Sequence, residues 1–178
     1  MVLVALHTGL RRGELMALGK DAVDLQGRRV HVRRNYHRGR FGTPKSGLSR
    51  EVPLSETATR ALAAHKHARS DDLAFCDEKG RPFHPTRMRS ELRRICKRAG
   101  LRRIGWHVLR HSFASHLVMR GVALAVVQKL MGHSSIIVTQ RYAHLAPQVV
   151  RDAVLIFDRP HVQPEPVQTQ PEPVQVAA

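Results

Sequence analysis

Between residues 86 and 131 the apolar side chains of this chain recur at helical spacing in three runs, and a glycine closes each run. Residues 86–99 carry Met88, Leu92, Ile95 and Ala99 as one stripe and stop at Gly100. Residues 108–120 carry Leu109, Phe113 and Leu117 and stop at Gly121, and residues 124–131 stop at Gly132. Apolar positions three and four apart share a face of an α-helix, and glycine accepts the left-handed conformation that ends one. Ser134 and Ser135 then offer an N-cap to a short helix reaching Tyr142. This half of the chain is predicted to be helical.

The first half mixes periods. Residues 2–6 read as the end of a buried helix broken at Thr8-Gly9, and residues 11–18 as a second helix, with Glu14 exposed or paired. At residues 28–33 the pattern alternates, as a half-buried strand does. Residues 39–42 read as a turn, 43–47 as a short strand or turn with Lys45 near a hairpin, and 50–54 as a further strand. Ser55 and Glu56 open an alanine- and leucine-rich helix to about residue 67, and residues 73–76 form a short apolar run. The expected fold is therefore mainly α with a small antiparallel β-sheet. A last helix is expected from Pro147, with Val150, Val154, Ile156 and Phe157 apolar. The segment 163–168 is then repeated at 170–175, a Pro/Gln/Glu/Val-rich tail with nothing to bury. Residues 1–158 are thus expected to form one domain and 159–178 a disordered tail.

Charge narrows the choice of partner. The chain carries a formal +16, and after residue 160 its only charged side chains are Glu165 and Glu172, so the basic surplus lies in the domain. Such a surplus asks for an anionic partner, of which nucleic acid is the commonest for a basic domain. A membrane surface would call for aromatic anchors, and the chain has one Trp and two Tyr. Cys76 and Cys96 have neither a metal nor a disulfide-framework spacing, which suggests a reduced, cytoplasmic setting. Along residues 86–99, Arg87, Arg89, Arg93, Arg94, Lys97 and Arg98 cover the faces that the apolar stripe leaves free, and are candidates for contacts with DNA.

The chemistry concentrates between Trp106 and Tyr142. His107, Arg110 and His111 share one helix face; His133 follows the next helix, and Tyr142 comes nine residues later. A zinc reading of His107 and His111 fails on two counts. Val108 stands where a zincin has glutamate, and Arg110 would repel the cation. No metal or other cofactor is expected. Phosphoryl transfer fits better, since it needs a nucleophile, charge neutralisation on two oxygens and a proton for the leaving group. Arg11 and Arg110 can supply guanidinium forks, Tyr142 a nucleophile, and His107 a proton acceptor. His111 and His116 read as structural histidines lying along helix contacts.

These stretches resemble the catalytic domain of tyrosine recombinases, the phage-integrase family. The matching segments are Thr8-Gly9-Leu10-Arg11-Arg12-Gly13-Glu14-Leu15, Lys45 in Gly-Thr-Pro-Lys-Ser-Gly, and His107-Val-Leu-Arg110-His111. They continue as Leu130-Met131-Gly132-His133-Ser134-Ser135 and Thr139-Gln140-Arg141-Tyr142-Ala143-His144-Leu145, in the family's order. The resemblance implies the family's DNA breaking-rejoining fold and site-specific recombination without ATP or metal. Arg11 and Arg110 would clamp the scissile phosphate, and Lys45 would protonate the leaving 5′-hydroxyl. His107 would move a proton with Tyr142, His133 would hydrogen-bond the phosphate, and Tyr142 would form a 3′-phosphotyrosyl link. Double-stranded DNA and a tetramer of this chain are the implied partners. The first motif lies so close to Met1 that the family's N-terminal DNA-clamping domain is expected to be missing. A DNA-binding remnant without turnover and a type IB topoisomerase-like relaxing activity stand as alternatives.

Overall fold

In the computed structural model, which describes residues 1–45, 47–65 and 72–146, the glycine-closed runs are helices. They are α4 (Pro85–Arg98), α5 (Trp106–Met119) and α6 (Leu124–Met131), followed by the short α7 (Ile137–Gln140). The first three end with the same pair of bonds. Leu101 N–H donates to Cys96 O and Gly100 N–H to Lys97 O; Val122 and Gly121 repeat the pattern on α5, and His133 and Gly132 on α6. That pairing satisfies carbonyls which the helix itself leaves free. The N-cap position of α7 falls on Ile136, without a side-chain cap, and not on Ser134 or Ser135. Ser135, one residue earlier, accepts at Oγ from Ile137 N–H at 3.3 Å, and the helix ends at Gln140, short of Tyr142.

The apolar stripe of α4 runs through Met88, Leu92 and Cys96, at i, i+4 and i+8. Ile95 is 37% exposed and Ala99 lies outside, which corrects the expected stripe. Ile95 stands about 100° around the helix from Cys96, and either could have ended the seam. His116 is exposed rather than packed along a helix contact.

In the first half, α1 (Val2–Thr8) packs against α3 (Glu56–Ala63) and α5. The second helix, α2, is only Arg12–Met16, shorter than expected, and Arg11 is its N-cap. Among the described residues, five strands replace the expected three. β1 (Val23–Asp24), β2 (Arg29–Val32) and β5 (Arg50–Pro53) form one antiparallel sheet, with Val30 opposite both Val23 and Val52. The expected turn at 39–42 is instead part of a hairpin of β3 (Asn35–His37) and β4 (Arg40–Gly42), with Tyr36 opposite Phe41. Its turn places Arg38 and Gly39 at φ 48° and 81°, the two positive φ values of a tight hairpin. Residues 43–45 carry no strand; Gly47 N–H closes a turn on Pro44 O at 2.8 Å. Leu73 makes an isolated bridge to Gly19, so the run at 73–76 is edge backbone with Phe75 buried.

Two apolar clusters hold these elements. The larger joins Val4 and Leu10 to Leu15, Val30, Val52, Leu62, Phe75, Leu92 and Leu109. The smaller joins Phe113, Ala114 and Val118 of α5 to Val127, Met131 and Tyr142. Helix α5 belongs to both, so its first two turns lie at the junction. The helix expected to run to about residue 67 ends at Ala63, with Ala64 as its C-cap. The expected helix from Pro147 and the tail lie outside the described residues. Among the described residues, no helix is long and apolar enough to cross a membrane.

Candidate active site

Two arginines are gripped by the carbonyl ends of helices. Arg110, in the second turn of α5 and 4% exposed, donates from Nη1 to Gly9 O at 2.6 Å and from Nη2 to Met131 O at 2.5 Å. Arg11 donates from Nη2 to Gly132 O at 3.1 Å. These acceptors terminate α1 and α6, where free carbonyls concentrate negative potential. Gly9 and Gly132 both have positive φ, 63° and 61°. A Cβ on Gly9 would stand 2.3 Å from Phe113 Cδ1, and one on Gly132 would stand 2.8 Å from Arg50. The Thr-Gly-Leu-Arg and Met-Gly-His motifs thus exist partly to bring carbonyls onto arginines. Burial, then the charge of Arg11, presses the Arg110 pKa down to about 9, so its guanidinium remains charged at neutral pH.

Beneath them lies a carboxylate that is paired, one of the two fates expected for it. Glu14, 2% exposed, accepts from Arg11 N at 2.8 Å and Arg11 Nη1 at 2.9 Å. It also accepts from Arg50 Nη1 at 3.0 Å and Nη2 at 2.8 Å. Arg50 reaches on from Nε to Leu130 O at 3.0 Å. Burial raises the Glu14 pKa, but the Arg50 bond and the charges of both arginines outweigh it and hold it below the usual range. Arg50 was not among the residues expected at this site. The signal for it was indirect: an acidic residue inside an apolar helix needs a cation.

Four of the six expected site residues, Arg11, Lys45, His107 and Arg110, line one cleft of about 1050 Å³. Asn35, Tyr36 and His37 of β3 share its lining, as do Arg89 of α4 and Arg103. His133 and Tyr142 are not among its lining residues, but both feel the charge of Arg110, which does line it. His133 Nδ1 is 2.9 Å from Thr139 Oγ1, and Thr139 is fully buried. When that hydroxyl donates to Nδ1, Nε2 carries the proton and is a donor. Burial, then the charges of Arg110, Arg11, Arg50 and Arg141, presses the His133 pKa down to about 4, so the ring is neutral at pH 7.

Tyr142 is 5% exposed, and its hydroxyl is hydrogen-bonded to His111 Nδ1. The hydroxyl's partner is thus His111, the histidine expected to lie along a helix contact, and not His107. The His107 ring instead stands edge-on to His111, with centroids 4.3 Å apart, and faces the cleft. Both histidines lie on one face of α5, but Tyr142 approaches from the 3₁₀ turn Ala143–Leu145 and meets the second of them. Burial raises the Tyr142 pKa, against the pull of Arg141 and Arg110.

The six basic residues of α4 divide into two lines. At 100° per residue, Arg89, Arg93 and Lys97 follow one another along the helix, and Arg89 reaches the cleft. Arg87, Arg94 and Arg98 form a line on the far side, where Arg87 pairs with Glu78 at 3.5 Å and Arg94 with Glu91 at 3.0 Å. Among the described residues, no cluster of His, Cys, Asp and Glu could hold a metal ion.

Comparison with known proteins gives one family. The model of the Phage integrase family matches residues 1–149. The chain is 36% identical over 155 residues to tyrosine recombinase XerD of Rhizobium meliloti (strain 1021), covering 83% of this chain and 47% of that protein. It is 34% identical over 163 residues to tyrosine recombinase XerC of Pseudomonas aeruginosa (strain PAO1), covering 86% and 48%. The chain therefore spans about half the length of these curated relatives. Among solved structures, the XerA recombinase superposes with a TM-score of 0.68 at 28% identity, over 90% of this chain and 57% of that one. The XerH site-specific recombinase, bound to a palindromic difH substrate in a post-cleavage complex, gives 0.65 at 26%, over 89% and 45%.

Proposed function

The chain belongs to the phage integrase family, and from that premise we propose that it cuts and rejoins DNA in site-specific recombination. The observation that carries the reading is the shared cleft, lined by Arg11, Lys45, His107 and Arg110, with Arg110 also acting electrostatically on His133 and Tyr142. A scissile phosphate seated there meets two guanidinium forks already oriented by helix carbonyls, so little reorganisation is needed as charge develops. His133 donates from Nε2 to a non-bridging oxygen. Tyr142 attacks phosphorus, a 3′-phosphotyrosyl bond forms, and the P–O5′ bond breaks as Lys45 protonates the departing oxygen. The link conserves the phosphodiester's energy, so a second 5′-hydroxyl reverses the step on a new strand without ATP.

Arg89, Arg93 and Lys97 extend the cationic surface from the cleft and track DNA phosphates. Residues 1–158 serve as the catalytic domain and 159–178 as its tail. Strand exchange between two DNA sites engages several copies of this chain, a tetramer in the family's manner, at the nucleoid in the cytoplasm.

A pool of nicked duplexes with randomised cores, from which the cut-off strand diffuses away, tests the reading. The chain is expected to accumulate a covalent DNA adduct that Tyr142→Phe abolishes. Absence of any adduct, or an adduct formed by Tyr142→Phe, overturns it.

A further inference from the structure

We propose that His111, not His107, accepts the hydroxyl proton of Tyr142 when the tyrosine attacks, a role that rests on the recombinase reading above. The proposal starts from contact. Tyr142 Oη is bonded to His111 Nδ1, whereas His107 meets His111 edge-on and turns to the cleft. A tyrosine hydroxyl must lose its proton as the O–P bond forms, and the ring already bonded to it is placed to take that proton.

The site keeps that ring basic at the right atom. For Nδ1 to accept, the second nitrogen must carry the proton, which is one of the two neutral tautomers. Burial, then the charges facing His111 from His107 and Arg110 on α5 and from Arg141 beside Tyr142, lower its pKa, so the acceptor is free at neutral pH. The tyrosine needs such help, since burial raises its own pKa. The balance closes. The Tyr142 O–H bond breaks, its proton goes to His111 Nδ1 to give an imidazolium, and the P–O5′ bond breaks with a proton from Lys45. In rejoining, His111 returns its proton to Tyr142 as that residue leaves. His107, on the cleft wall, is free to face the phosphate.

The test compares His111→Ala, His111→Gln and His107→Ala for the rate of adduct formation on nicked duplexes. Glutamine keeps a hydrogen-bonding side chain of similar reach but cannot take the proton. Both His111 variants are expected to slow the step by about 100-fold, the usual scale of a lost general base. Added imidazole is expected to restore part of the rate in His111→Ala alone. The pH–rate profile of both His111 variants should lose the rising limb that the unsubstituted chain shows below neutrality. If His111→Gln reacts as fast as the unsubstituted chain, the residue only positions Tyr142 and the proposal falls. If His107→Ala alone shows the slow, imidazole-rescued phenotype, the proton goes to His107 and the proposal falls equally. If the unsubstituted chain forms no adduct, the recombinase reading fails first and takes this one with it, a result distinct from the other two.

Discussion

Glu14 receives both terminal nitrogens of Arg50, at 2.8 and 3.0 Å, and through that pair a helix N-terminus, a sheet edge and the end of α6 are held together. The carboxylate is 2% exposed, so removing its charge leaves the Arg50 and Arg11 guanidiniums it joins without their shared counter-charge. Breaking one partner of such a buried pair typically costs about 3–5 kcal/mol. Glu14→Gln is therefore expected to lose roughly 3 kcal/mol in urea denaturation, and Arg50→Met a similar amount. Because Arg11 leans on the same carboxylate, both variants should also weaken DNA cleavage beyond what their stability explains. A Glu14→Gln protein as stable as the parent would show that the network is dispensable.

Gly9 combines a left-handed backbone with a closed space. An alanine there has φ of 63° to tolerate, at about 1–2 kcal/mol, and a Cβ 2.3 Å from Phe113 Cδ1. Overpacking adds about 1–3 kcal/mol. Gly9→Ala should lower the melting temperature, and Gly9→Ala with Phe113→Leu should recover the packing part only. Full recovery in the double variant would mean that the backbone conformation is not a constraint.

How much of this was legible beforehand depended on distance along the chain. His107, Arg110 and His111 fall on one face by spacing alone, and helix-closing glycines mark their own positions. The partner of Glu14 did not show, because Arg50 lies 36 residues away on a strand whose register only the folded sheet fixes. Which of His107 and His111 the Tyr142 hydroxyl meets was hidden for the same reason. Helical spacing says that both share a face, while the approach of Tyr142, 31 residues on, decides which one it touches. Ile95 and Cys96 are neighbours of like polarity, and only the position of the core beneath α4 chose between them. Local periodicity wrote the helices; pairings across elements were written by packing.

Acid sensitivity follows from the partly desolvated histidines, with a definite sign. His133 has its pKa pressed to about 4 against an ordinary value of 6.5, and His107 and His111 are lowered as well. The unfolded chain therefore takes up protons first as pH falls. The histidines' contribution to stability should be complete above pH 6.5 and be lost from there to about pH 4. Glu14, held below 4.5, adds a second loss beneath that value. His133→Asn is expected to flatten part of the upper decline and Glu14→Gln the lower one, read by urea melts across the range. An NMR titration of His133 with a midpoint near 6.5 would remove the basis for the upper window.

The two lines of basic residues on α4 make separable predictions about DNA. Arg89, Arg93 and Lys97 rise along the helix in steps of about 6 Å, starting from the cleft, so a duplex entering the cleft would meet them in turn. Arg87 and Arg94 on the other line already face Glu78 and Glu91. Each neutralised phosphate contributes about 0.9 to the slope of log affinity against log salt. Replacing Arg89, Arg93 and Lys97 with alanine should therefore flatten that slope by roughly 2–3, in fluorescence anisotropy with duplex DNA. Alanine at Arg87 and Arg94 should change it by less than about 1, because those charges are partly spent on their own carboxylates. Equal effects from the two sets would mean that DNA does not follow the line from the cleft, and a larger effect from Arg87 and Arg94 would place it on the opposite face.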